Sequence, residues 1–298
     1  LEDWTAAASV LEEFRSTDPD HELSTEATKQ LAHVYRESGQ IARSAAEHER
    51  IAAETDDLVL SREALLTAGE LYDEAVVLDE AVRVYERYVE EYPRPIDLAM
   101  ETRSRLAEIF KDRIDYSRYH DQLRMMVEVD RDAGDDRTDR TRYLASGAAL
   151  VLAEQTFESF ANLDLVQPFE ESLAEKQARM DRTLGELEAL VGYEVADITA
   201  AATFYIAQVY DEFSRALLES ERPEGLSEAE KIDYEMVIEE EAYPFEEQAI
   251  SLHEINMRRS WDGVYDDWVK QSFAELRRLM PARFDKQEID VAYVETIH

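Results

Sequence analysis

The chain has no cysteine, which excludes disulfides and thiolate chemistry and is compatible with either a reducing or an oxidising compartment. Glycine and proline are scarce, at 8 and 7 of 298 residues. With Ala, Glu, Leu and Arg dominant, this is the composition of a mostly helical protein with almost no sheet. The glycines never stand as G-x-G, so neither a dinucleotide fingerprint nor a phosphate-binding loop is present. No run of 18 apolar residues occurs, and residues 1–30 lack the basic start, apolar stretch and small-residue cleavage site of a signal peptide. The chain opens on "LEDWTAAASVLEEF", a helix already under way, and reads as an excised piece of a longer protein.

Positive charge is also scarce. Lys and Arg number 32 against 69 Asp and Glu, a formal charge of −37, which argues against binding a phosphate backbone. Of the basic residues 6 are Lys and 26 are Arg. Carboxylate surplus with depleted Lys is the pattern of salt-adapted organisms, where salt screens the self-repulsion; a dedicated acidic binding surface is the alternative.

Catalytic signatures are missing as well. "HEINM" at 253–257 starts like a zinc-protease motif, but Met257 stands where the second histidine is required. The histidines at 21, 33, 48, 120, 253 and 298 are scattered singly and read as surface or packing residues. Carboxylate clusters such as Glu239-Glu240-Glu241 read as solvated faces, because a catalytic pair needs a shielded pocket. No serine sits in a nucleophile elbow. The expectation is a protein that is not an enzyme and holds no cofactor or metal.

What is present is a repeat. Leu65, Ala68-Gly69 and Tyr72 are echoed by Thr28, Leu31-Ala32 and Tyr35, and again by Arg103, Leu106-Ala107 and Phe110, with the aromatics 37 and 38 residues apart. A more distant copy is Thr203, Ile206-Ala207 and Tyr210. After Tyr72 come Ala81, Tyr85 and Pro93, and the same intervals recur in Ala7, Leu11 and Pro19, so the chain begins on the second helix of a repeat. In the copy at 25–56 Gly39 suits the turn, while Ser44, His48 and Asp56 replace the small, aromatic and proline residues. The third copy keeps its first helix, and its second, around 117–129, is degenerate.

These residues resemble the tetratricopeptide repeat family, whose pattern is W-x2-L-G-x2-Y, A-x3-F, P. The resemblance implies an all-α fold, a right-handed α-solenoid superhelix of antiparallel helix pairs over residues 1–130. It also implies that Gly69 is where the helix carrying Ala81 and Tyr85 approaches closely, offsetting the helix-propensity cost of glycine. The texture of residues 6–40 is similar to bacterial cell-envelope repeat proteins of the outer-membrane assembly lipoprotein and TolA-binding kinds, implying a periplasmic or envelope location, with the cytoplasm as alternative.

Residues 131–142, "RDAGDDRTDRTR", read as an extended connection or helix entry. From there to 298 the expectation is an irregular helical continuation of the same superhelix, with a separate domain as the alternative. It comprises helices from Tyr143 to about Phe160 and from Pro168 to about Val191, a degenerate repeat helix at 198–220, and a final pair at 244–281 in which Trp261 and Trp268 cover the last apolar face or, alternatively, form a binding hot spot.

In the family, first helices line a concave groove that binds other proteins or peptides. The pattern then places Glu26, Lys29, His33 and Arg36 on the groove in one copy, Glu63, Leu66, Glu70 and Asp73 in the next, Glu101, Ser104, Glu108 and Lys111 in the third, and Phe204, Gln208 and Asp211 in the distant one. The expected partner is a basic or amphipathic peptide or helix, without nucleic acid and without membrane insertion. The functional expectation is a protein-interaction scaffold, part of a larger envelope-associated protein; the alternative is a regulatory or spacer region of a multidomain enzyme.

Overall fold

The computed structural model describes residues 3–285. Among them there are thirteen α-helices, two short 3-10 turns and no strand, which makes the fold all-α. The chain divides into two compact units, Leu1–Ala145 and Ser146–His298.

The first unit holds α1 (Trp4–Thr17), α2 (Ser24–Glu37), α3 (Ile41–Glu54), α4 (Leu58–Glu74), α5 (Leu78–Glu91), α6 (Ile96–Asp112) and α7 (Tyr116–Arg131). Each packs on the next in chain order, giving an α-solenoid built from the pairs α2–α3, α4–α5 and α6–α7. The same turn closes all three pairs. The amides of Gln40, Val77 and Asp115 donate to the carbonyls of Tyr35, Tyr72 and Phe110 at 2.8, 2.9 and 2.9 Å, and the preceding residues Gly39, Val76 and Ile114 have φ of +75°, +58° and +61°. This is the left-handed helix stop that satisfies the last carbonyls of a helix, repeated with the period of the aromatics.

The repeat positions Leu31, Ala32, Tyr35, Ala68, Gly69, Tyr72, Ala81, Tyr85, Leu106, Ala107 and Phe110 are all buried. Pro93 is exposed, just past the end of α5. In the first pair Ala32 stands where the second has Gly69, and Ser44, which takes the place of Ala81 and is fully buried, donates its hydroxyl to Ala32 O at 2.7 Å. A small residue again permits close approach, and its polar atom is satisfied. In the third pair Arg103 stands where the second has Leu65, and its Nη1 donates to Gln122 Oε1 on α7 at 3.2 Å. The degenerate sequence around 117–129 nonetheless folds as the full helix α7.

Arginine–carboxylate pairs tie helices one repeat apart. Arg15 bonds Glu47, Arg83 bonds Glu49 at 2.7 Å and Arg118 bonds Glu86, linking α1, α3, α5 and α7 in succession. Arg105 holds Asp73 through Nε at 2.5 Å and Nη2 at 2.8 Å, a two-pronged geometry that lysine cannot reproduce. Arg140 holds Glu101 in the same manner.

The charge run at 131–142 is not an extended connection. Asp130, only 2% exposed, accepts from Arg137 Nε at 3.0 Å and Thr141 Oγ1 at 3.1 Å. These bonds fold the run onto the end of α7, so that a 3-10 turn (Gly134–Asp136) leads directly into α8 (Asp139–Ala161). The division between the two compact units falls within α8, after Ala145.

The second unit contains the end of α8 with α9 (Phe169–Val191), α10 (Ala196–Leu218), α11 (Glu228–Arg259), α12 (Asp267–Leu279) and the single turn α13 (Pro281–Phe284). α10 is its central element, packed by α9, α11 and α12. Its small and aromatic residues, among them Ala200, Ala201, Phe204 and Phe213, are buried. The expected helix start at 244 is corrected to Glu228: Ser227 and Glu230 form a reciprocal capping box, and Pro244 lies inside the helix. Lys176 of α9 is fully buried, and its Nζ donates to the carbonyls of Phe160, Ala161 and Leu163 at 2.9, 3.3 and 2.9 Å. It thereby caps the end of α8, whose last carbonyls lack helical donors. Trp268 packs on Phe204 and Tyr205, each at a centroid separation of 5.5 Å. Trp261 is 76% exposed and covers nothing, contrary to the expected role.

Candidate interaction groove

Two clefts open on either side of α4, the central first helix of the first unit. The first, about 380 Å³, is lined by Lys29, His33 and Arg36 of α2, His48 and Ile51 of α3, and Leu60, Glu63 and Thr67 of α4. The second, about 410 Å³, is lined by Leu66, Glu70 and Asp73 of α4, Tyr85 of α5, and Leu98, Glu101, Thr102 and Arg105 of α6. Helical periodicity produces this split: residues 63 and 67 share one stripe of α4 and 66, 70 and 73 the adjacent one.

Eight of the residues expected on the groove thus gather at these clefts. Glu26 is exposed beyond them and accepts from Gln30 Nε2 at 2.9 Å. Ser104 is half-buried on α6, Glu108 accepts from Arg105 at 2.7 Å, and Lys111 Nζ lies 5.8 Å from the Tyr119 ring centroid. Phe204, Gln208 and Asp211 do not line an open groove. Phe204 is buried against His253 and Trp268, Gln208 Nε2 lies 3.4 Å from His253 Nε2, and Asp211 pairs with Arg278 at 2.5 Å. α11 and α12 cover this face of α10.

The two clefts differ in charge. In the first, neither Lys29 nor Arg36 forms an ion pair with a described residue, unlike the arginines of the ladder. Burial, with the Arg36 charge added, holds His48 below the usual imidazole range. In the second, Asp73 and Glu101 are held by Arg105 and Arg140. Glu70 forms no ion pair with a described residue, and partial burial raises its pKa against the lowering influence of Arg36. A cationic cleft beside a carboxylate-rich one, each with an apolar floor, suits an elongated ligand that carries both signs.

Sequence reasoning missed His48, Ile51 and Arg105. Arg105 carries a readable signal, since Arg and an acid recur 32 or 34 residues apart at 15 and 47, 49 and 83, 73 and 105, 79 and 113, and 86 and 118. His48 gives none, because it reaches the cleft from a second helix.

No family model matches the chain, and no curated protein matches it. Among solved structures it is similar to a tetratricopeptide repeat protein from Parabacteroides merdae ATCC 43184, at 15% identity and a TM-score of 0.33, with 93% of this chain and 92% of that one covered. It is also similar to BtubC (BKLC) from P. vanneervenii, at 14% identity and a TM-score of 0.31, covering 89% and 92%. The architecture rests on the helix pairing described above rather than on these likenesses. That pairing, with its threefold turn and small-residue contacts, defines an all-α repeat protein with a tetratricopeptide-like fold. No described helix is long and apolar enough to cross a membrane.

Proposed function

We propose that the first unit is a non-enzymatic protein-interaction scaffold that binds an extended segment of a partner across α4. An acidic side chain of the partner meets Lys29, His33 and Arg36, and a basic or apolar one meets Glu70 and Leu66. The observation that carries this reading is the contrast in ion pairing: the ladder arginines are held by repeat-spaced carboxylates, whereas Lys29 and Arg36 form no ion pair with a described residue although Glu63 lines the same cleft, in a chain of charge −37. The partner expected from sequence was basic or amphipathic; the cationic cleft adds an acidic element to it. The resemblance of residues 6–40 to envelope repeat proteins supports a place in a larger envelope-associated protein, and the carboxylate surplus supports a salt-adapted host.

The test is selection of random 12-residue peptides displayed on phage against the full chain. The expected consensus pairs an acidic with a basic position, and Lys29→Ala with Arg36→Ala removes the acidic preference. If the double variant selects the same sequences as the parent, the groove is not the binding site.

A further inference from the structure

The turns that join the helix pairs carry a feature that neither folding nor solubility explains. Val76 and Ile114 occupy left-handed backbone, at φ +58° and +61°, a region unfavourable to L-residues and worst for β-branched ones. Both side chains point into water, 75% and 73% exposed, so no core packing offsets the strain. Gly39 at the equivalent turn shows that the repeat accepts glycine there. Backbone strain that brings no gain in packing marks positions kept for another purpose.

The two turns are neighbours. Arg113, beside Ile114, pairs with Asp79 at the start of α5 at 2.8 Å, joining the turn after α6 to the one after α4. Val77 and Tyr116, both exposed, extend the apolar side chains into a ridge along this edge. Its rim is acidic: Glu74, Asp79 and Asp112 are exposed, and neither Glu74 nor Asp112 forms an ion pair with a described residue. A second copy of the chain would bring the same acidic rim and another −37 charges, which long-range repulsion opposes at physiological salt.

We propose that this turn edge is a docking surface, separate from the groove, for an amphipathic helix whose apolar face is flanked by Lys or Arg. The apolar ridge supplies contact area, and the acidic rim selects cationic partners and sets orientation. Because the ridge lies outside both clefts, it can be occupied together with the groove.

The probe is a synthetic peptide of about 18 residues, with Leu at i, i+3, i+4 and i+7 and Lys elsewhere, titrated into the full chain by fluorescence anisotropy. Its footprint is mapped by hydrogen exchange. Protection is expected at residues 72–80 and 110–118. Val76→Asn with Ile114→Asn, which suits left-handed backbone and keeps the net charge, should weaken binding roughly tenfold or more without lowering the melting temperature. The proposal is overturned by equal affinity for the double variant, by a footprint on the groove faces of α2 and α4, or by a Ser-for-Leu peptide that binds as tightly. Self-association in about 1 M salt that the double variant abolishes would also overturn it, by giving the ridge to a second copy.

Discussion

The ring of Tyr85 lies so close to Gly69 that an ideal Cβ there would stand 2.5 Å from Cε1 and 2.7 Å from Cδ1. Tyr85 is 4% exposed, so its ring must shift from a packed position to admit a Cβ. Gly69→Ala should gain about 1 kcal/mol of helix propensity and lose about 1–3 kcal/mol to overpacking, leaving the protein less stable. Urea unfolding checks this, and a midpoint equal to or above the parent's would show that the contact yields freely.

The same pair shows how far the sequence could be read. Gly69 and Tyr85 both belong to a pattern repeated in register, and repetition turns weak local signals into a fold. Periodicity therefore located the helix pairs of the first unit and eight of the residues that line its two clefts. The second unit is built differently: Phe204 and Asp211 keep the repeat spacing, yet α11 and α12 close over them. Sequence spacing specifies which stripe of a helix faces away from its partner, not whether a later helix covers that stripe. The start of α11 was missed because Pro244 is a strong stop signal by itself, and here the capping box of Ser227 and Glu230 upstream had already set the helix.

Salt should stabilise this protein. The ladder pairs are mostly half-exposed, as Arg83 with Glu49 at 50% and 18%, and such pairs contribute about 0–1 kcal/mol each, screened by salt. Opposing them is the self-repulsion of a chain carrying −37, whose longer-range terms are screened more completely. The second effect involves many more charges and wins. Melting temperature should therefore rise steadily from about 0.05 to 1 M NaCl; a fall over that range would mean that the ladder dominates.

Arg105→Lys separates geometry from charge in that ladder. Lysine keeps the positive charge but cannot hold Asp73 through two parallel bonds while also reaching Glu108. At 40% exposure of the arginine side chain the expected loss is about 0.5–1 kcal/mol. It should be largest at low salt in a comparison of unfolding curves. A loss of equal size in molar salt would point to packing of the aliphatic stem instead.

Lys176 is a buried cation whose three protein acceptors are backbone carbonyls, and burial lowers its pKa to about 8. Lys176→Met keeps the length of the side chain and leaves the carbonyls of Phe160, Ala161 and Leu163 without this donor. Phe160 O keeps the amide of Leu163 as donor at 3.2 Å, whereas the carbonyls of Ala161 and Leu163 are orphaned at about 1–3 kcal/mol each, against which the removal of a desolvated charge returns part. A net loss of about 2–4 kcal/mol is expected in calorimetry, carried by the second unit. A variant as stable as the parent would show that the end of α8 finds other donors.

His253 makes the second unit sensitive to acid. The ring is fully buried on α11, 5.5 Å from the Phe204 centroid. Its Nε2 lies beside Gln208 on α10, and Nδ1 has no hydrogen-bond partner among the described residues. Burial lowers its pKa to about 4, with Glu275 raising it and Arg278 opposing that. The unfolded chain has the ordinary value of 6.5 and binds the proton more tightly than the folded one between these limits. Stability from this group is therefore complete above pH 6.5 and is lost as the pH falls toward 4, by on the order of 3 kcal/mol. The many carboxylates titrate in the same range, so the informative quantity is the difference between the parent and His253→Phe, which removes the imidazole and keeps an aromatic ring. Unfolding free energy measured from pH 7 to pH 4.5 should fall more steeply in the parent. Parallel pH profiles would mean that the imidazole takes up its proton without leaving its site between α10 and α11.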